Sequence, residues 1–391
     1  MSGPLAGVRA LDLGTYAIGP SACAYLGQLG AEVIRIENPA GEAFMDFEPT
    51  MNGMATSYVN SNMAKKTIHL NLKDPADLEI AHRLTATVDI LVENRLPGVI
   101  EKLGLGYDEV TKINPGIVFI SMPGFTGGGP FTGRPALDAE IQAMSGFATT
   151  QGAENGPPEL FRVYAHLDHT TGLFLVQSAI LGLLHKRRTG KGKRIEVGFF
   201  GSSIFLQLTR VAEFLATGNP PLRKGSASSI IAPSQSFPCL DKRYVNISAA
   251  DQEMWRRLCE ALDLTALIDD ERFATNAGRL NNRKELESAM ARSTQTAPAW
   301  WWVMLLRRHR VACSPVYMFD EMFGDPDLRS QDSVVDVQTP WGVAVHGGLP
   351  WRFQSTPCSP IEGTHEPGSD RAEILHRLAE IENSQQGLRR Q

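Results

Sequence analysis

The segment FRVYAHLDHTTGLFLVQSAILGLLHKRRTGKGKRIEVGFF, residues 161–200, joins a polar opening to a long apolar run and then to an alternating run. Residues 173–184 are apolar on nearly every side, which predicts a buried helix rather than a surface helix. Basic residues at 185–188, followed by Gly190, are typical of a helix C-terminus. Because residues 194–200 alternate like a strand, the segment predicts a buried helix followed by a strand.

Asp168 stands in the polar opening, beside His166, His169, Thr170 and Thr171. Its position favours a helix N-cap, whose carboxylate accepts hydrogen bonds from the first free N–H groups. The same helix dipole would also keep a carboxylate ionised and available as a nucleophile. The local sequence favours the cap and leaves the nucleophile as the alternative.

A βαβ pattern begins the chain. A buried strand at residues 8–13 is followed by a turn, a helix at 21–29 and a second strand at 32–37. This order predicts a parallel sheet with right-handed crossovers, so the fold class is α/β with a Rossmann-like large domain. Ligands of such sheets bind at the carboxyl ends of the strands, and we expect one cleft lined by the loops at 14–20, 38–41, 94–98 and 122–130.

Composition narrows the class of protein. The chain has 391 residues with 42% hydrophobic and 21% charged residues, and its net charge is −5, which argues against a nucleic-acid partner. The five cysteines lack disulfide or zinc spacing, so we expect no metal and a cytoplasmic location. The N-terminus does not resemble a signal peptide, and no window approaches the ~18 apolar residues of a membrane span.

Residues 218–230 (GNPPLRKGSASSI) are rich in Pro, Gly and Ser and predict a linker. We therefore expect the first part of a large domain at 1–217, a smaller α+β domain at 231–315, and a return to the large domain with a C-terminal tail at 316–391. A dinucleotide-binding oxidoreductase is a minor alternative, because the turn GTYAIGP lacks the GxGxxG pattern.

Taken together, several segments resemble the class III CoA-transferases, a family that includes formyl-CoA and carnitine CoA-transferases and α-methylacyl-CoA racemases. The resemblance extends from about Pro4 to about Gly342. The matching segments are residues 4–20, 29–42, 65–73, 92–110, 114–130, 137–147, 166–172, 187–197, 232–248, 267–286 and 311–322. It implies an interlocked homodimer of the α/β chain described above.

The resemblance also implies a reaction. An aspartate at the position of Asp168 attacks an acyl-CoA, forms a mixed anhydride and then an aspartyl-CoA thioester, and passes CoA to an acceptor acid. CoA and acyl-CoA are substrates here, and no prosthetic group is required. Backbone N–H groups of the loop at Gly127–Gly129, with Gly128 at its centre, or of the region around Gly225 and Ser226, are candidate oxyanion donors. Simple turns explain these glycines equally well.

Residue by residue, the resemblance implies CoA contacts at Ile18, Asn38, Leu70, Lys73, Asn94, Arg95, Val99, Lys102 and Phe199. Lys73 and Lys102 would meet CoA phosphates as point charges, although any single lysine is usually a solvated surface residue. Asn38, Pro123 and Pro135 stand where relatives often carry basic residues. We expect Arg35, Lys65, Lys66 or Arg134 to supply the positive charge that these three positions lack.

Racemases of the family have a histidine immediately before the aspartate of the motif LDAEIQ, whereas this chain has Leu137. Leucine cannot carry a proton, so an acyl-CoA racemase is the runner-up and a transferase is favoured. Asp138 is expected to orient the nucleophile or acceptor, or to be a helix N-cap. His166 and His169 could bind the acceptor carboxylate, but polar residues at a helix entrance are slightly favoured. A catalytically silent subunit of a heteromeric transferase is a further alternative.

Overall fold

The computed structural model of the protein describes residues 2–162, 165–327, 333–358 and 361–389. These form two compact units. The first comprises Met1–Ala148, Leu160–Asn219 and Asp327–Gln391, and the second comprises Thr149–Glu159 and Pro220–Pro326. The chain passes from the first unit to the second and back twice, at residues 149–159 and again at 220–326.

The strands, in chain order, are β1 Arg9–Asp12, β2 Glu32–Glu37, β3 Thr50–Met51, β4 Met54–Ala55, β5 Lys66–His69, β6 Ile90–Glu93, β7 Val118–Ser121, β8 Lys193–Glu196, β9 Ser234–Pro238, β10 Tyr244–Ser248, β11 Ala312–Pro315, β12 Val334–Thr339 and β13 Gly342–Gly347. The helices are α1 Ile18–Gln28, α2 Thr56–Ser61, α3 Pro75–Thr85, α4 Val99–Lys102, α5 Tyr107–Ile113, α6 Asp138–Met144, α7 His166–Thr189, α8 Phe199–Leu206, α9 Leu208–Thr217, α10 Gln252–Ala261, α11 Asn276–Asn281, α12 Arg283–Thr294, α13 Ala299–Arg308, α14 Phe319–Gly324 and α15 Arg371–Arg389. Short 3₁₀ helices occupy Ala43–Asp46, Phe147–Thr150 and Thr265–Leu267.

A six-stranded parallel sheet organises the first unit, as the βαβ pattern predicted. Its order is β5-β2-β1-β6-β7-β8, which is the 3-2-1-4-5-6 arrangement of a doubly wound sheet. The strand order reverses between β1 and β6, so the crevice beyond their carboxyl ends is the expected ligand site. Strand β8 is shorter than predicted, because the chain turns at Gly198 into helix α8.

Alternating side chains of the strands feed two apolar cores. Ala10, Val92 and Ile120 point to one face, where they pack with helices α1 and α7. Leu11 and Phe119 belong to the core on the opposite face, which also contains residues of α3, α5 and α15. Both faces of the sheet are therefore covered, as a parallel sheet requires.

Helix α7 packs against α1 and β7. Within the described chain, it is the one helix whose length and composition would allow it to cross a membrane, and 44% of its most apolar window is buried. The expectation that no window approaches such a composition was wrong. Since a buried core helix has the same composition as a membrane span, this property alone is weak evidence for a membrane.

The second unit has its own core. Its antiparallel sheet has the order β11-β10-β9 and packs with α10, α12 and α13. Trp302 is buried in this core and donates its Nε1–H to the Thr294 carbonyl at 2.6 Å, whereas Trp300 is 66% exposed. Adjacent tryptophans thus face different directions, as expected on a helix.

Candidate active site

The loops that follow β1 and β6 are fastened together at the point where the strand order reverses. The Asn94 side chain accepts a hydrogen bond from the Thr15 N–H at 2.7 Å and donates one to the Thr15 carbonyl at 2.9 Å. Tyr16, the next residue, has a left-handed backbone with φ of 56°, which is unfavourable for a tyrosine. These contacts hold the loop in one conformation at the edge of the sheet.

A buried group of charged side chains stabilises the loop that follows β1. Asp12 accepts hydrogen bonds from Gly14 N at 2.8 Å, Arg35 Nη1 at 3.1 Å and Lys65 Nζ at 2.7 Å. Arg35 also contacts Glu37 and Glu42. Arg35 is 2% exposed and Lys65 is 1% exposed, so both cations are enclosed and committed to carboxylates.

Beyond these loops lies a cleft of about 760 Å³. Most of its lining is apolar or aromatic, and includes Tyr16, Ile18, Phe44, Phe47, Leu96, Val99, Met122, Leu137 and Phe161. The charged side chains that reach it are Arg95, Arg134, Arg162, Asp138 and Asp168. A cleft with these walls suits a ligand that combines an apolar body with anionic groups.

A second cleft of about 320 Å³ adjoins the first, because Thr15, Arg95 and Val99 line both. Its other lining residues include Asn38, Leu70, Asn71 and Lys73. The Nε of Arg95 is buried and has no hydrogen-bond partner among the described residues. A guanidinium at the junction of two clefts, with a free donor, is well placed to meet an anion.

Asp168 lies at the N-terminus of α7, but its carboxylate does not cap that helix. The N-cap residue is Ala165, with φ of 49°, and Asp168 is the third residue of the helix. The cap is supplied by Asp138, whose Oδ2 accepts hydrogen bonds from Leu167 N at 2.7 Å and Asp168 N at 3.3 Å. The N-cap interpretation of Asp168 was therefore wrong. Asp138 is itself the first residue of α6, whose N-cap is Leu137.

The Asp168 carboxyl group is unusual in its electrostatics. Burial, followed by the negative charge of Asp138, raises its pKa from 3.8 to about 8. No described residue donates a hydrogen bond to the carboxylate that would offset this. The expectation that the helix dipole keeps this group ionised at neutral pH was therefore wrong, because burial and Asp138 outweigh the dipole. The ionised form is strongly basic and faces a mostly apolar cleft, so it is a candidate nucleophile.

Known proteins match this chain along most of its length. The model of CoA-transferase family III covers residues 5–370. The chain belongs to CoA-transferase family III. Succinyl-CoA:glutarate CoA-transferase of Homo sapiens is 34% identical over 339 residues, which are 86% of this chain and 77% of the relative. Acetyl-CoA:oxalate CoA-transferase of Acetobacter aceti is 32% identical over 85% of this chain and 86% of its own length.

The fold agrees with this assignment. A crystal structure of a CAIB/BAIF family protein from Brucella suis has a TM-score of 0.87 and 28% identity, covering 97% of this chain and 100% of that one. The resemblance to the family is confirmed, and the protein is a CoA-transferase. This removes the nicotinamide oxidoreductase from consideration.

Most of the predicted CoA contacts of this family III member reach one of the two clefts. Ile18, Asn94, Arg95 and Val99 line the main cleft, and Asn38, Leu70, Lys73, Arg95 and Val99 line the second. Lys102 lies on α4 but is not among the lining residues of either cleft. Phe199 is fully buried in the core that contains α1 and α7. Contact of these side chains with CoA stays a prediction.

The four basic residues expected to supply positive charge to the CoA phosphates differ in their surroundings. Arg35 and Lys65 are both paired with Asp12, and Arg35 also lines the second cleft whereas Lys65 does not. Contact of either with a CoA phosphate stays a prediction. Lys66 pairs with Glu373 on α15. Arg134 remains in the main cleft, with its guanidinium 5.0 Å from the centre of the Phe131 ring.

The glycine-rich loop is open to solvent at Gly128, where an added side chain would meet nothing within 4 Å. Gly124 of the same loop lines the main cleft, whereas Gly128 does not. Gly225 belongs to the second unit, where its N–H donates to the Gly152 carbonyl at 2.9 Å. The predicted oxyanion role of Gly128 therefore stays a prediction.

His166 and His169 are held by contacts within the protein. The ring of His166 lies 5.0 Å from the Phe161 ring and 6.1 Å from the Phe147 ring. His169 Nδ1 is 3.0 Å from the Tyr25 hydroxyl, and burial lowers its pKa. These contacts favour the interpretation of both as packed residues at the helix entrance.

Two kinds of site residue were missed by the sequence analysis. The aromatic residues Phe44 and Phe47 precede no recognisable motif, and only the folded loop brings them to the cleft. Gln142 is different, since it follows Asp138 by four residues on α6 and is 1% exposed. The i,i+4 spacing was a readable signal that the two side chains interact.

No group of three potential metal ligands was found in residues 2–162, 165–327, 333–358 and 361–389.

Proposed function

We propose that this enzyme transfers CoA from an acyl-CoA donor to a carboxylic acid through covalent intermediates on Asp168. The observation that carries the proposal is the position of Asp168 on the main cleft, with α7 capped by Asp138 and not by Asp168 itself. Because its carboxylate makes no capping hydrogen bond, both oxygen atoms are available to a substrate.

The proposed reaction conserves atoms and charge at each step. The Asp168 carboxylate attacks the thioester carbonyl, the C–S bond breaks, and CoA leaves as a thiolate. The thiolate then attacks the Asp168 carbonyl of the mixed anhydride and releases the donor acid as a carboxylate. The acceptor carboxylate displaces CoA from the resulting aspartyl-CoA. Finally, the thiolate attacks the acceptor carbonyl, which gives the new acyl-CoA and regenerates Asp168.

The cleft supports this chemistry in two ways. Its apolar walls limit the access of water, which would hydrolyse an anhydride or thioester. Ala17 and Ile18 line the cleft at the start of α1, and no described side chain caps that helix. Free N–H groups at a helix N-terminus can donate hydrogen bonds to a developing oxyanion. We propose this helix terminus as an oxyanion site in addition to the loop at Gly128.

We propose that CoA uses the second cleft, with the thioester directed into the main cleft. Arg95 supports this arrangement, because it lines both clefts and its Nε lacks a partner among the described residues. Lys73 supplies a positive charge at the second cleft, and Lys102 stands nearby on α4. The remaining predicted contacts, including Phe199, are proposed on the family resemblance alone.

We propose a dicarboxylic acid of about the size of glutarate as the acceptor, with succinyl-CoA as a donor. The names of the human and Acetobacter relatives support dicarboxylates as a class. Within this chain, Arg134 and Arg162 reach the main cleft, and neither has a carboxylate partner in the described part of the protein. A guanidinium there would bind the distal carboxylate while the aromatic wall contacts the methylene groups.

We also propose that the protein is a cytoplasmic homodimer with interlocked chains. The described apolar surface supports an interface between copies, since Phe205, Leu206, Leu208, Phe214 and Leu215 on α8 and α9 are all at least 41% exposed. A patch of this kind on a soluble protein usually marks a protein contact. The five cysteines are free thiols, which fits a reducing compartment.

Mass spectrometry of acyl-CoA products tests the proposed activity. Wild-type protein is incubated with succinyl-CoA and a panel of dicarboxylic and monocarboxylic acids, beside Asp168→Asn. We expect glutaryl-CoA from the wild type and none from the variant. If the wild type binds CoA but transfers it to no acid, the proposal fails and the silent-subunit alternative takes its place.

A further inference from the structure

Gln142 is an almost fully buried amide whose polar atoms all have partners. It is 1% exposed on α6. Its Oε1 accepts a hydrogen bond from Phe161 N at 2.8 Å. Its Nε2 donates to the Phe161 carbonyl at 3.2 Å and to Asp138 Oδ1. The amide thus joins a wall of the main cleft, at Phe161, to the side chain of Asp138.

Asp138 continues the connection to the nucleophile. Its second oxygen, Oδ2, accepts the N–H groups of Leu167 and Asp168 at the start of α7. Gln142 therefore occupies one oxygen of Asp138 while the helix that carries Asp168 occupies the other. A carboxylate held on both sides keeps a single rotamer, and its hydrogen bonds restrict the backbone at the start of α7.

We propose that Gln142 is a positioning residue, which holds Asp138 against the N-terminus of α7 and thereby fixes the attack geometry of Asp168. This inference rests on the proposed role of Asp168 as nucleophile. It assigns Gln142 no contact with the reacting atoms. Because the same amide fixes the backbone of Phe161, it also fixes the position of this wall of the main cleft relative to the nucleophile.

The consequences of losing Gln142 follow from these contacts. Without the Nε2 donor, Asp138 Oδ1 has no partner from α6, and the carboxylate can rotate away from α7. A nucleophile displaced by about 1 Å can lose on the order of 100-fold in rate without losing affinity for its substrate. We therefore expect the chemical step to suffer more than the binding of the acyl-CoA.

Single-turnover kinetics of adduct formation with succinyl-CoA test the inference in the full-length protein. Rapid quenching and intact mass give the rate constant and the final fraction of protein labelled, and repeating the measurement at several succinyl-CoA concentrations gives the KM. Gln142→Leu removes every hydrogen bond of the amide. Gln142→Glu keeps the shape and the acceptor for Phe161 N–H but places an acceptor against Asp138. Gln28→Leu is the matched control, since Gln28 is 5% exposed on α1 and its Nε2 lacks a hydrogen-bond partner among the described residues.

We expect both Gln142 variants to form the adduct about 10- to 100-fold more slowly, with the full labelled fraction and a KM for succinyl-CoA changed less than about threefold. Gln28→Leu should keep the wild-type rate constant. A wild-type rate in Gln142→Glu would overturn the inference, because donation to Asp138 would then be unnecessary. A loss of labelled fraction at an unchanged rate would also overturn it, since it would show a role in folding alone.

The covalent mechanism and this inference can fail separately. If the wild type transfers CoA without a detectable adduct, the proposed intermediates are wrong. The same comparison of variants is then made on kcat for the transfer. An unchanged kcat in Gln142→Leu and Gln142→Glu would reject the positioning role, and a loss of about 10-fold or more, with Gln28→Leu unaffected, would support it.

Discussion

Replacing Asp168 by asparagine should stabilise the protein at neutral pH, although it abolishes transfer. In the unfolded chain the carboxyl group has its ordinary pKa of 3.8, whereas burial and Asp138 raise the folded value to about 8. Between these two values the folded protein binds a proton that the unfolded chain releases. The contribution of Asp168 to stability is therefore full below pH 3.8 and is progressively lost as the pH rises to about 8.

The size of this effect follows from the pKa shift. At pH 7, roughly three pH units above the unfolded pKa, each unit costs about 1.4 kcal/mol, which sets an upper limit of about 4 kcal/mol. Asp168 lines an open cleft, so screening by water reduces the expected gain in Asp168→Asn to about 1–3 kcal/mol. Asparagine has nearly the same shape and carries no charge, and its contribution does not change with pH.

Urea unfolding of the wild type and Asp168→Asn between pH 4 and 9, at one protein concentration, measures the difference. We expect the variant to gain little near pH 4, to gain steadily up to about pH 8, and to level off above it. Asp269→Asn is a control at an exposed carboxylate and should not reproduce this curve. A difference between wild type and Asp168→Asn that is independent of pH would refute the assigned environment of Asp168.

Four further predictions concern activity, binding and stability. Burial and then the charge of Asp138 raise the pKa of Asp168, so Asp138→Asn, which removes that charge, should move the rising limb of the pH–rate profile of adduct formation to lower pH; an unmoved limb would contradict this. Leu137 cannot carry a proton, so the wild type should incorporate no deuterium at the α-carbon of 2-methylacyl-CoAs in D₂O, and mass spectrometry would reveal any exchange. Lys65→Met should lose about 2–4 kcal/mol of unfolding free energy in denaturant unfolding, because it disrupts a buried ion pair with Asp12. Lys73→Met should keep its stability and bind CoA more weakly in calorimetry. A stable Lys65→Met that binds CoA weakly, beside an unstable Lys73→Met, would be inconsistent with the two clefts. Arg162→Leu should raise KM for glutarate about tenfold or more and leave KM for pentanoate nearly unchanged, and equal effects on both acids would remove the distal-carboxylate site.

The parallel sheet could be predicted from the sequence because its signals are local. Strand β2 was predicted at the residues that form it, Glu32–Glu37, and the helix predicted at residues 21–29 forms as α1, Ile18–Gln28. Apolar alternation and turn residues determine such elements within a few positions of the chain. The same signals place the carboxyl ends of β1 and β6 at one edge, which is where both clefts occur.

The electrostatics of the site could not be predicted in this way, because its partners are distant in sequence. The cap of α7 comes from Asp138, thirty residues before Asp168. Lys65 and Arg35 resemble ordinary surface cations in the sequence, but both are buried in the fold, where they pair with Asp12. Only the folded chain shows that one aspartate is used for capping and the other is left facing the cleft.

Intact-mass analysis after incubation with acyl-CoA donors tests the central claim most directly. Wild type and Asp168→Ala are incubated with succinyl-CoA or acetyl-CoA, and each sample is then divided and treated with or without hydroxylamine. We expect an adduct that hydroxylamine removes, that peptide mapping assigns to Asp168, and that the variant lacks. CoA binding without an adduct on the wild type, for every donor, would contradict an aspartyl nucleophile.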